Sequence, residues 1–220
     1  MSNSASSLGI DQSIAFWNER HRRLEHGYAG GDIAYDDTAN AMLNSLRVGR
    51  LIDLIGTFAR PAAPVRILDA GCGTGWLTRT LASFGHQVDG IDTSEQALAT
   101  CFGRARADGR DRYRLSRLDE WTPGYLYDVV ISVDVLFHIM EDHIWAASVR
   151  NLGMLVRSRG RLILADHDLV ADRQWGDYQV SRARQRYLDL LTSDGFVHRG
   201  FVAYAFRNNG AGFHVFDRTS

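Results

Sequence analysis

No lysine occurs anywhere in the 220-residue chain, and all 25 basic side chains are arginines. That absence removes Schiff-base catalysis, which needs a lysine amine, and a phosphate-binding Walker loop, which needs its own lysine. Cysteine is scarce too. Cys72 and Cys101 are too few for a disulfide framework, and neither has a Cys or His neighbour at zinc-ligand spacing, so a reducing, cytoplasmic setting and no metal are expected. No apolar run approaches the ~20 residues needed to cross a bilayer. The Ser-rich opening "MSNSASSLGIDQS" lacks the charged-then-apolar order of a secretion signal and reads as a loose tail. With a formal net charge of −1 there is no global field to attract nucleic acid or a membrane, and neither partner is expected.

What is present fits a single domain of ordinary composition, 45% hydrophobic and 23% charged. Ile14, Trp17, Leu24 and Tyr28 recur at helical spacing until the paired glycines of "GYAGGD". Met42, Leu43, Leu46, Leu51, Leu54 and Ile55 form a second stripe, ended by "ARPAAP". From residue 65 short apolar runs alternate with amphipathic stretches, the pattern of a parallel sheet covered by helices on both faces. The spacing predicts strands over 65–69, 87–92, 112–116, 127–133 and 161–166, with helices over 76–84, 95–106, 142–156 and roughly 175–193. Two alternating runs around "RNNG", 197–206 and 210–216, predict an antiparallel hairpin, making a mostly parallel α/β sheet with a paired edge.

Behind the first strand lies "ILDAGCGTGWL". Glycines there let the backbone approach a ligand closely. The spacing is Gly71-x-Gly73-x-Gly75, and Trp76 stands where a dinucleotide fingerprint wants its third small residue, which argues against NAD. Asp69 closes the first strand and Asp92 the second, where a carboxylate can accept hydrogen bonds from ribose hydroxyls. Cys72 within the loop reads as a small packed residue, since nothing nearby in sequence would lower its pKa.

Taken in order, "ILDAGCGTG", "VDGIDTS", "YDVVISVDVLFHI" and "GRLILAD" resemble the successive motifs of the class I S-adenosylmethionine-dependent methyltransferases, covering Val65 to Asp166. The resemblance implies a Rossmann-like seven-stranded sheet with a reversed last strand, and S-adenosyl-L-methionine as cofactor. By position, Asp69, Gly71, Cys72, Gly73 and Gly75 would line the methionyl and ribose side, Asp92 would hold the ribose diol, and Thr93 would flank the adenine. The family's acidic residue after the third strand is replaced by Ser116 and Arg117, followed by Leu118, so the adenine edge meets Ser116 or backbone, or Asp119 takes over. Ser132, Val133 and Asp134 would pass beneath the methionine end. Residues 1–60 then read as a tail and helical cap, part of the same domain, and 61–220 as the methyltransferase domain. The acceptor expected is the O, N or C nucleophile of a small molecule.

Two histidines are candidate catalytic bases: His138, just past the fourth strand, and His167 in "ADHD". Each has a bland alternative, a satisfied histidine at a helix start and a polar cap. Asp166 and Asp168 face away from His167 in extended chain, which disfavours a shared metal. Six arginines between Arg104 and Arg117 suggest either a phosphate track or a solvated edge, and Asp108 and Asp111 interrupt the run. "YAGGDIAY" reads either as a sheet cover or as a glycine-hinged lid. Tyr178, Ala183, Tyr187, Leu190 and Leu191 read as a core-facing helical stripe. The rival functions are a nucleic-acid methyltransferase, a dinucleotide-dependent oxidoreductase on a similar sheet, and a silent cofactor-binding scaffold.

Overall fold

The computed structural model describes residues 9–23, 34–58 and 63–219. Helix α1 (Ile10–Arg23) comes first, then α2 (Asp37–Phe58). Asp36 caps α2, its Oδ1 accepting from the Ala39 amide at 2.7 Å. There follow β1 (Arg66–Ala70), α3 (Trp76–Ser83), β2 (Gln87–Asp92), α4 (Glu95–Gly103), β3 (Asp111–Leu115), β4 (Tyr127–Ser132), a short 3-10 turn (Leu136–His138), α5 (Asp142–Met154) and β5 (Val156–His167). A small ribbon of β6 (Arg173–Trp175) and β7 (Gln179–Ser181) precedes α6 (Arg184–Thr192) and the hairpin β8 (Phe196–Ala203) and β9 (Ala211–Arg218).

The seven main strands lie in the order β3-β2-β1-β4-β5-β9-β8. Neighbours are parallel up to β5, and β9 pairs antiparallel with both β5 and β8. This is the Rossmann-like class I methyltransferase fold with its antiparallel C-terminal hairpin. The order reverses between β1 and β4, the place where open parallel sheets bind ligands at their carboxyl edge.

Alternation along the strands gives each sheet face its own core. Leu68, Val130, Leu162 and Leu164 pack against Trp145, Val149 and Leu152 of α5 and Tyr187 and Leu191 of α6. Ile67, Val129, Ile131 and Ile163 point the other way, onto Leu43, Leu51 and Ile55 of α2 and Leu81 of α3. Among the described residues no helix is long and apolar enough to cross a membrane.

Three expectations need correction. The helix predicted from 175 is not there: Gly176 takes φ +68, turning the chain so that β6 pairs antiparallel with β7, and the helix begins only at Arg184. Tyr178 thus lies in a turn, while Tyr187 and Leu191 do face the core. The helix predicted to reach 156 stops at Met154, and Val156 already pairs with Tyr127; a register shift then carries β5 on to Arg161 opposite Val129. On α2 the buried stripe is Leu43, Arg47, Leu51 and Ile55, whereas Met42 and Leu46 are 55% and 40% exposed. A charged residue on the inward face displaced the apparent apolar stripe by one position. The predicted end of the first helix and most of "YAGGDIAY" lie outside the described residues.

Candidate active site

At the carboxyl ends of β1, β2 and β4 a cavity of about 440 Å³ opens, a volume within the range of small-molecule sites. One end is built by the glycine loop. The amides of Gly71 and Cys72 donate to the Ile91 carbonyl at 2.8 and 2.9 Å, fastening the loop to β2. Asp92 completes the turn: its Oδ2 accepts from the Gly73 amide and its Oδ1 from the Ser94 amide, each at 2.8 Å. Gly73 has φ +52, and among the described residues a Cβ there would meet only His21 Cε1, at 3.8 Å. Its missing side chain leaves open cavity. At Gly75 the lack of a Cβ serves packing instead, since one would fall 2.8 Å from Cys101 Sγ and 2.9 Å from the Tyr113 ring.

Burial shapes the charges here. Asp69 is buried and accepts from the Thr78 hydroxyl at 2.6 Å; its pKa is raised to about 6 because desolvation outweighs that bond. Burial raises Asp92 as well, opposed by the amides of Ser94 and Gly73. Cys72 is an inert thiol, pushed up by its contact with Cys101 and by burial.

The other end surrounds His138. Its Nδ1 lies 3.0 Å from the Tyr178 carbonyl, and a carbonyl can only accept, so Nδ1 carries the proton. Burial lowers the pKa of His138 to about 4, leaving the ring neutral and Nε2 a bare lone pair. The Trp17 ring packs edge-on at 4.7 Å and the Tyr178 ring stacks at 6.0 Å. Asp134 sits between this histidine and the glycine loop with φ +58, a left-handed conformation that Asp tolerates better than most residues. It pairs with Arg47, which reaches across from α2 and lies over the Tyr204 ring at 4.9 Å. Helix α1 forms the remaining wall with Ile10, Ser13, Ile14, Trp17 and His21. Glu141 holds its first amide, on Ile10, at 2.9 Å.

Of the residues picked from sequence, Asp69, Gly71, Cys72, Gly73, Asp92, Thr93, Arg117, Leu118, Val133 and His138 line this one cavity, and so does Asp119. Gly75, Ser116 and Ser132 stand behind it: Ser132 donates to the Ala70 carbonyl at 3.0 Å, and the Ser116 amide to that of Asp92 at 3.0 Å. His167 is placed elsewhere. Its Nδ1 meets Ser181 Oγ at 2.9 Å, its ring lies against Trp175, and it is not among the lining residues. Sequence reasoning missed Arg47 and His21, charged and polar residues on helices whose visible periodicity was apolar.

Comparison with known proteins names this architecture. Residues 67–160 match the family described as "Methyltransferase domain". The ubiquinone biosynthesis O-methyltransferase of Rickettsia canadensis (strain McKiel) is 32% identical over 98 residues, 44% of this chain and 42% of that protein. That of Methylocella silvestris is 31% identical over 137 residues, 56% and 52% of the two chains. The chain thus spans about half the length of the curated relatives it matches. Among solved structures, magnesium protoporphyrin IX methyltransferase from Synechocystis PCC 6803 with bound SAH superposes with a TM-score of 0.73 at 20% identity, covering 94% of this chain and 98% of that one. The N-methyltransferase NodS from Bradyrhizobium japonicum WM9 gives 0.66 at 17% identity, over 81% and 97%. The resemblance read from four motifs is therefore supported where those motifs lie: residues 67–160 match the methyltransferase domain, and the chain shares its fold with solved methyltransferases, one of them holding SAH.

Proposed function

We propose that the protein transfers the methyl group of S-adenosylmethionine to a small molecule whose reacting atom carries an O–H or N–H. The observation behind this is one cavity with a nucleoside-type cradle at one end and a neutral imidazole at the other. The cradle suits the cofactor: the open space at Gly73 admits a ribose, Asp92 offers lone pairs to its diol, and nothing in the loop requires a phosphate. When bound, the sulfonium supplies an electrophilic carbon and a neutral sulfur leaving group.

The chain's own residues then have separable tasks. Asp92 and the loop orient, while Trp17, Ile10 and Ile14 on α1 exclude water from the reacting centre. His138 Nε2 accepts a hydrogen bond from the acceptor and takes its proton as the new bond forms. An oxygen acceptor accords with the O-methyltransferases among the relatives. A nucleic-acid acceptor is less well supported, because three of the six arginines of the 104–117 strip are paired locally: Arg106 with Asp108, Arg112 with Asp89, Arg117 with Asp119. Calorimetry with S-adenosylhomocysteine and with NADH tests the cofactor, and labelled methyl transfer to a panel of phenols, alcohols and amines tests the acceptor. Binding of NADH in place of S-adenosylhomocysteine, or transfer only to RNA, would overturn the proposal.

A further inference from the structure

Methyl transfer as described leaves one side chain of α1 without a task. His21 is 7% exposed, the buried residue of its helix, and its Nδ1 is enclosed with no hydrogen-bond partner among the described residues. Leaving such a nitrogen unpaired is costly, and an aliphatic side chain would fill the same volume without that cost. Its placement supplies a reason. A Cβ built on Gly73 would lie 3.8 Å from His21 Cε1, the carbon between the two ring nitrogens, and both residues line the cavity, so with Nδ1 enclosed it is the Nε2 side of the imidazole that turns to the open side of the loop. The Gly73 amide on that same loop is the one bound to Asp92. Asp92 is close enough for its charge to act on the His21 ring. A histidine and a carboxylate therefore border the same open space.

A ribose diol needs more than a carboxylate can offer. Each hydroxyl both donates and accepts, and Asp92 when ionised only accepts. A neutral imidazole supplies both functions, and burial, opposed by Asp92, keeps His21 neutral by lowering its pKa. We infer that His21 is a cofactor-positioning residue that hydrogen-bonds the ribose diol from the α1 side of the cavity. This rests on the cofactor reading above. It also means that α1 and the glycine loop grip the nucleoside jointly, so that helix order and cofactor binding are coupled.

The test is calorimetry on the full chain with S-adenosylhomocysteine, 5′-methylthioadenosine and the latter's 2′,3′-dideoxy analogue. His21→Phe, which keeps a ring, should weaken the first two about five- to tenfold, the size of one lost hydrogen bond, and leave the dideoxy analogue unaffected. His21→Gln, whose longer side-chain amide overlays the imidazole Nε2, should bind within about twofold of the unaltered protein. Equal affinity in His21→Phe, an equal loss for the dideoxy ligand, or a Gln variant as weak as Phe would each overturn the inference. If the unaltered protein binds none of the three ligands, the cofactor reading falls and takes this one with it. Should His21→Phe fold poorly, the ¹⁵N resonances of labelled histidine decide. Adding S-adenosylhomocysteine should shift His21 Nε2 into the hydrogen-bonded range, and an unmoved resonance refutes the contact.

Discussion

The Gly73 amide donates to the Asp92 carboxylate across 2.8 Å, tying the glycine loop to the end of the neighbouring strand. The same carboxylate accepts from Ser94, the cap of α4, whose Oγ in turn accepts from the Ala97 amide. Asp92→Ala should therefore act twice. Loss of charge-assisted hydrogen bonds to the ribose should weaken S-adenosylhomocysteine binding by about 1.5–3 kcal/mol, and two orphaned amides should lower stability by about 1–3 kcal/mol. Calorimetry and urea unfolding read the two effects separately. Unchanged affinity with lowered stability would make Asp92 a purely structural residue.

Gly73→Val places a branched side chain into open cavity at φ +52. The backbone strain is of order 1–3 kcal/mol, within what a domain of this size tolerates, so the fold should persist. S-adenosylhomocysteine binding should vanish while circular dichroism stays native. Retained binding would show that the cradle lies elsewhere.

His138→Gln should reduce kcat by about 10²–10³ if Nε2 takes the acceptor's proton, with cofactor affinity intact. With the free-enzyme pKa near 4, kcat/KM should show no histidine-dependent fall between pH 8 and 5.5. An acid limb near pH 6.5 would mean that the ring is solvated and unshifted. Unaltered turnover in the variant would consign His138 to packing.

How far the sequence reached is instructive at particular residues. The strand 87–92 and the closing hairpin were legible because burial on two faces and a turn signal leave few alternatives for such runs. That Gly73 and Asp92 line one cavity was legible because loop chemistry constrains residue type at fixed spacing. His138 was legible by its position at the sheet's carboxyl edge, but its tautomer was not, since that is set by the Tyr178 carbonyl 40 residues away. The same ribbon was misread as helix because "WGDYQVSRARQRY" has helical spacing, and only the left-handed Gly176 reveals the turn. Arg47 and His21 were hidden for a related reason: periodicity ranks apolar residues, and both are polar groups on inward helix faces.

Arg47 offers its own measurement, because it joins the helical cap to the core through Asp134, with side chains 8% and 17% exposed. Removing one member of a nearly buried pair strands the other charge. Asp134→Asn is the clean change, since Asn tolerates the left-handed φ and only the charge is lost. It should cost about 3 kcal/mol, and Arg47→Met a similar amount, whereas the double variant should cost well under the sum. Additive losses in urea unfolding would show that the two side chains do not interact in solution.

Stability should also fall with acid, and the direction follows from the buried histidines. His138 has its pKa lowered from 6.5 to about 4, so between those values the unfolded chain binds a proton that the folded one refuses. Its contribution is present above pH 6.5 and is lost as pH falls toward 4, up to about 3 kcal/mol. His21, His86, His198 and His214 are lowered in the same direction, each mainly by burial. Asp69 works against them: its pKa is raised from 3.8 to about 6, so its charged form burdens the folded state increasingly as pH rises across that interval. Five lowered histidines outweigh it and the likewise raised Asp92, and the melting midpoint should drop from pH 7 to pH 5. His138→Gln should flatten that slope while Asp69→Asn steepens it. A midpoint independent of pH in the unaltered protein would mean that these rings are open to water.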